Sequence, residues 1–252
     1  MNPIATSLIV FACVFGGAVC GILLNRALPP THLSADSKDV VKMGMGLVAT
    51  MAALVLGLLV SSAKSFYDAQ SAELTQMSAS VVLLDRLLAH YGPEAKEARD
   101  LLRGTFADSI DMIWPLEHTQ PSKLGAPSAT GPEALVGKIQ SLSPKDDRQR
   151  SVQAQALSRV IGLTQTRWLM YEQEANSVSK PMLMILVFWL TAIFVSFGLF
   201  APRNATVVTA LFVAGLAVSG AIFLILEMYA PFGGLIEISS APLRATLTQL
   251  GQ

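Results

Sequence analysis

Six residues of one apolar stretch carry the clearest chemical pattern in this chain: Gly46, Thr50, Ala53, Gly57, Ser61 and Lys64. At 100° per residue they fall within one narrow helical face, and Val48, Met51, Val55 and Leu59 occupy the opposite one. Such a face has two uses. Small residues let a second backbone approach closely inside a membrane. A smooth wall with hydroxyls that ends in a cation could instead line a pore and favour anions at one mouth. Glu227 is a further candidate, as the sole acidic residue between Lys180 and Glu237. An ionisable group at that depth in an apolar segment marks function by default. It also stands close to Pro231, where it could simply reach the membrane interface.

Other chemistry finds little support. His32, His90 and His118 lie in three separate segments, none with a second ligand at helical metal spacing. The chain has no glycine-rich phosphate loop, nucleophile elbow or zinc-protease helix. No catalytic residue, metal ligand or cofactor is therefore assigned, and the expectation is a protein that is not an enzyme. Cys13 and Cys20 are seven residues apart within one apolar run, too far for a disulfide in one helix. They read as small hydrophobes.

The elements that must position these residues follow from how charge is distributed. Only 14 % of residues are charged and 52 % are apolar, with a mean hydropathy of +0.50. The charges are sparse before Lys64 and nearly absent from Pro181 to Leu226, which is the segregation that two solvents impose on one chain. Four apolar runs are each long enough to cross a bilayer: Pro3–Leu24, Met43–Ala63, Pro181–Phe200 and Ala205 to about Met228. Met1 to Ser7 lack a basic side chain, so the first run reads as an uncleaved span rather than a secretory signal. The fold class expected is all-α integral membrane: four transmembrane helices, with an extramembrane helical bundle inserted between the second and third. The expected segments are residues 1–63 (first helix pair), 64–179 (bundle), 180–230 (second pair) and 231–252 (a turn and short helix).

Four crossings put both termini and the bundle on one side. Of the 18 Lys and Arg, only Arg26, Lys38, Lys42 and Arg203 fall on the other side. Long loops count for little in the positive-inside rule and the helix ends nearly balance; the expected placement is bundle and termini cytoplasmic, in a bacterial inner membrane. Net charge is zero, which offers nucleic acid no basic patch.

Past Lys64 the helical pattern continues. Leu74, Met77, Val81, Leu84, Leu88 and Tyr91 recur at three- and four-residue steps, extending the second span as one rod to Gly92-Pro93. This stripe is either bundle core or a subunit interface. A second rod from Pro144 to Ser179 places Leu157, Val160, Thr164, Trp168, Tyr171 and Ala175 on one face and leads into Lys180-Pro181. Two shorter helices are expected between the rods, from Pro93 to about Trp114 and near Pro132 to Leu142, separated by a Pro-, Ser- and Gly-rich loop at Pro115–Gly131. After Pro231-Phe232-Gly233-Gly234, a terminal helix with Ser240 as its cap carries Leu243, Leu247 and Leu250 onto the membrane surface or the bundle.

Four segments resemble the bacterial and plant bestrophin-like domain family. They are NRALPPTHLSADSKDVVKMGMGLVATMAALVLGLL from Asn25 to Leu59, RWLMYEQ from Arg167 to Gln173, FWLTAIFVSFGLFAPRN from Phe188 to Asn204, and LILEMYAPFGGLIEISSAPLR from Leu224 to Arg244. The family is named for a distant likeness to bestrophins, pentameric chloride-permeable channels with four spanning helices and long cytoplasmic ones. The resemblance implies a homo-oligomer in the lipid bilayer, with the second span nearest the axis and chloride or another small anion as its passenger. The chain departs from the pattern in two places. It has no acidic cluster to equate with a calcium clasp. Family members often carry an aspartate just before the Pro-Phe pair, where this chain has Met228, Tyr229 and Ala230, so a carboxylate there would have to come from Glu227. The rival expectation is a non-conducting sensory or scaffolding protein whose bundle binds a ligand or partner.

Overall fold

The computed structural model describes residues 2–29, 35–114, 130–175, 179–202 and 204–251. Its elements are α1 (Pro3–Ala27), α2 (Ala35–Tyr91), a single 3-10 turn (Pro93–Ala95), α3 (Lys96–Ile113), α4 (Thr130–Gln140), α5 (Asp147–Ala175), α6 (Lys180–Phe200), α7 (Ala205–Met228) and α8 (Ala241–Gln249). No strand occurs among the described residues. The loop expected at Pro115–Gly131 lies mostly outside them, as do His32 and His118.

The helices divide into two compact units: residues 1–65 with 178–229, and residues 66–177 with 230–252. Helix α2 contributes to both. In the first unit, α1, α2, α6 and α7 are each apolar and long enough to cross a membrane. Asparagine caps open two of them: Asn2 Oδ1 accepts from Ile4 N–H at 3.1 Å, and Asn204 Oδ1 accepts from Val207 N–H at 2.9 Å. Helices α1 and α6 run parallel, with Gly17 beside Thr191, Gly21 beside Val195 and the Asn25 side-chain amide donating to Leu199 O at 2.6 Å. That is the relation expected of the first and third crossings of one chain. Phe11 and Phe15 each meet Phe212 of α7 edge-on, with ring centroids 5.4 and 5.5 Å apart.

Helices α1 and α6 approach each other closely. A Cβ on Gly21 would overlap Val195 O, and one on Gly198 would overlap Ala18 O. Gly17 and Gly21 form a Gly-x-x-x-Gly pair, so the sequence did carry the signal. Small-residue packing within the chain is thus found on α1 and α6. It is absent on α2 at Gly44, Gly46 and Gly57, where an added Cβ would meet nothing within 4 Å.

In the second unit, the α2 stripe from Leu74 to Tyr91 is buried against α3, α5 and α8 residues in one apolar cluster. It is core. On α5 the buried face is Ala156, Val160, Arg167 and Met170, with Leu163 packed alongside. This is shifted by about one residue from the expected face; Trp168 is 44 % exposed. The helix has apolar residues on several faces, so periodicity alone picks the bulkiest line rather than the buried one. Gln153 Nε2 donates to Ile139 O at 2.8 Å and Leu142 O at 2.9 Å, closing the end of α4. Gln149 does the same for α2 through Tyr91 O at 2.9 Å, where Gly92 takes φ +128°.

Helix α8 packs on α3, and Leu243, with Leu250 just past the end of the helix, is buried in the same apolar cluster. Ser240 does not cap it as expected: Ser239 Oγ accepts the Ala241 N–H at 3.2 Å, and Ser240 Oγ takes the Arg244 Nε–H at 3.3 Å. Ser240 already has helical dihedrals (φ −74°, ψ −9°), which turn its hydroxyl away from the first amides.

Candidate pore-lining face and buried charges

Along α2, Gly46, Thr50, Ala53, Gly57, Ser61 and Lys64 are all exposed in the single chain. The Thr50 hydroxyl returns to Gly46 O at 2.9 Å, so the face stays smooth. A neighbouring line of Met43, Leu47, Met51, Leu54 and Leu58 is exposed as well. The expected opposite face is mixed. Leu59 is buried and Val48 and Val55 are half-buried, but Met51 is exposed. Only 11 % of the most apolar window of α2 is covered by the rest of the chain, against 28–39 % for the other three spans. Of the four spans, α2 is therefore the one that its own chain covers least.

At the end of α7, Glu227 is 2 % exposed. It does not reach out to an interface in the single chain; it is enclosed by it. One residue beyond the helix, the Tyr229 hydroxyl lies 3.0 Å from Ser62 Oγ, tying the end of α7 to α2 beside Ser61. His90 is exposed, as are the free thiols of Cys13 and Cys20. Among the described residues, no three His, Cys, Asp or Glu side chains gather as a metal-holding group.

Two buried charges in the second unit escaped sequence reasoning. Asp85 sits on the α2 stripe side and is 4 % exposed. Arg99 of α3 grips it with Nε–Oδ1 at 2.7 Å and Nη2–Oδ2 at 2.8 Å, and the Gly251 N–H donates to Oδ2 at 3.2 Å. Burial works to raise the Asp85 carboxyl, but the Arg99 hydrogen bonds, the Gly251 amide and the nearby Arg99 and Arg86 charges outweigh it and hold it below its usual range. Arg167 of α5 is 9 % exposed. Its Nη2 meets Met112 Sδ at 3.8 Å, and burial lowers its proton affinity.

The family profile of the bestrophin-like domain matches residues 12–243. The chain belongs to the bestrophin-like family. The fold agrees with this membership. Two crystal structures of a bacterial bestrophin homologue from Klebsiella pneumoniae, each with a single mutation, superpose with TM-scores of 0.64 and 0.67 at 14 % identity. The alignments cover 95 % and 96 % of this chain and 99 % and 97 % of those. No curated protein matches the sequence. With its four long apolar helices, this bestrophin-like chain is an integral membrane protein.

Proposed function

We propose that this bestrophin-like protein conducts small anions such as chloride as a homo-oligomer, with α2 nearest the pore axis. The supporting observation is the complete exposure of the six-residue face from Gly46 to Lys64, on the span that its own chain covers least. A face built of Gly, Ala and hydroxyls gains nothing from lipid contact, whereas around a water-filled axis it leaves room and offers polar groups. Lys64 at its end would raise the local concentration of anions. Glu227 and the Tyr229–Ser62 hydroxyl pair lie at the same end of the spans as Ser61 and would set the charge and stiffness of that mouth. The second unit and both termini are read as cytoplasmic, so a reporter fused after Gln252 should be active inside the cell.

Purified protein reconstituted into liposomes should pass chloride and run as one symmetric oligomer. Lys64→Glu should lower the anion-over-cation permeability by roughly tenfold, because a two-charge swing near the ion path is worth about 1–2 kcal/mol in a water-like dielectric. Reversal potentials in a salt gradient measure this. A monodisperse monomer, or a conducting protein whose selectivity ignores position 64, would sink the reading.

One observation favours a second reading, a sensor or scaffold without conduction. Helices α4 and α5 border an apolar groove of about 670 Å³, lined by Val136, Ile161, Trp168 and Leu169 with Glu133 and Gln140 at its polar positions. That volume suits a small organic ligand. Absence of flux together with saturable binding of an apolar probe, lost in Trp168→Ala, would favour it.

A further inference from the structure

One wall of the groove between α4 and α5 is built from residues that a solvated helix face rarely carries. Ile161, Trp168 and Leu169 of α5 are 49, 44 and 59 % exposed. At 100° per residue they share one face, away from the buried line of Ala156, Val160 and Met170. Pro132 and Val136 of α4 form the facing wall. The groove runs along residues 132–140 and 161–169, roughly 12 Å of each helix at its standard rise. Its volume of about 670 Å³ lies within the range of small-molecule sites.

The charge of the lining narrows the class of molecule. Glu133 is the single charged residue that lines the groove. It is exposed, and among the described residues it has no hydrogen-bond or ion-pair partner. Lys138, the cation nearest to it along α4, is held by Glu97 of α3 instead. Trp168 adds a second attraction of the same sign, because an indole face is the strongest of the aromatic faces for a cation. Tyr171 meets that indole at 86° with ring centroids 6.0 Å apart, which braces its tilt. The remaining polar positions are the Gln140 and Gln165 amides and the Thr164 hydroxyl. An anion would find no charged donor there, whereas a cation would find a carboxylate and a π-face.

We propose that the α4–α5 groove is a site for a monovalent organic cation, an amine or quaternary ammonium with an apolar body. Glu133 and the Trp168 indole answer its charge, and Val136, Ile161 and Leu169 receive its body. This site shares the groove of the second reading above and rests on that part of it, but it does not require a non-conducting protein.

The test uses the full-length protein in detergent and benzyltrimethylammonium as the probe, followed by saturation-transfer NMR, with benzenesulfonate as the anion of similar size. The cation should saturate the wild type, and benzenesulfonate should bind roughly tenfold more weakly or not at all. Glu133→Gln should weaken the cation about threefold to tenfold by removing the charge. Trp168→Leu should do likewise, because it keeps apolar area and removes the π-face, and Trp168→Phe should recover part of the loss. Both positions are exposed, so the variants should keep the wild-type circular dichroism and unfolding midpoint. No saturable cation binding, equal affinity for the two probes, or a cation affinity that ignores both substitutions overturns the proposal. So does an oligomer that dissociates on Trp168→Glu while the wild type ignores the cation, since a second copy would then fill the groove. Cation binding alongside chloride flux supports the site and sinks only the non-conducting reading. Saturable binding of benzenesulfonate alone would keep a ligand groove and overturn its cationic class.

Discussion

Gly198→Ala and Gly21→Ala should each lower the unfolding midpoint of the detergent-solubilised protein by roughly 5–10 °C, the consequence of about 3 kcal/mol of overpacking. The reason is what the new methyl group would strike. At Gly198 it would meet the backbone of Ala18 and Ile22, and at Gly21 the backbone of Val195 and Leu199. A long side chain can swing aside, but a helix backbone cannot, so the two spans must separate along their length. That separation would also stretch the 2.6 Å hydrogen bond from Asn25 to Leu199 O. Gly17→Ala should cost less, because its nearest contact is the movable Thr191 Cγ2 at 3.0 Å. Gly16→Ala and Gly220→Ala, which meet nothing within 4 Å, should stay within about 0.5 kcal/mol of wild type. Equal effects at Gly16 and Gly198 would show that helix propensity, not close packing, governs these positions.

The contrast between α1 and α2 shows where the sequence was legible and where it was not. Four long apolar runs and the Leu74–Tyr91 stripe could be read directly, because each reflects one solvent boundary imposed at a fixed period. On α2 the small-residue face was legible as a pattern, but its partner was not. Composition cannot say whether a second helix, lipid or water meets such a face. Among the described residues of the single chain the face is exposed, and an added Cβ at Gly46 or Gly57 would meet nothing within 4 Å. Gly17 and Gly21 were legible too, yet they sit among bulky neighbours and lack the hydroxyls that drew attention to α2. Arg167 was illegible for a different reason. Hydropathy reasoning sends arginine outward and tryptophan inward, and on α5 the order is reversed: Arg167 is buried and Trp168 exposed. Only the folded packing around α5 distinguishes the two. Asp85 was hidden likewise, since its partners Arg99 and Gly251 are far apart in the chain.

Asp85→Ala should destabilise the second unit by about 3 kcal/mol, near the lower bound for breaking a buried ion pair, since Arg99 keeps some contact with solvent. Three segments meet at this carboxylate: α2 supplies it, α3 supplies Arg99, and the chain end supplies the Gly251 amide. Loss of the carboxylate leaves a guanidinium and an N–H unanswered at once. Amide exchange should therefore speed up at Gly251 as well as near Arg99, which distinguishes loss of the junction from general softening. Replacing both partners, Asp85→Leu with Arg99→Met, should recover most of the stability, because no charge is then left unpaired. The pH response follows from the same geometry. Asp85 titrates lower folded than unfolded, so its contribution is complete above the unfolded value of about 4 and is lost as pH falls through the lower, folded value. Wild-type midpoints should thus fall more steeply than those of Asp85→Ala below about pH 4. Parallel curves for the two proteins would mean that acid sensitivity resides elsewhere and that Arg99 does not hold Asp85 in its charged form.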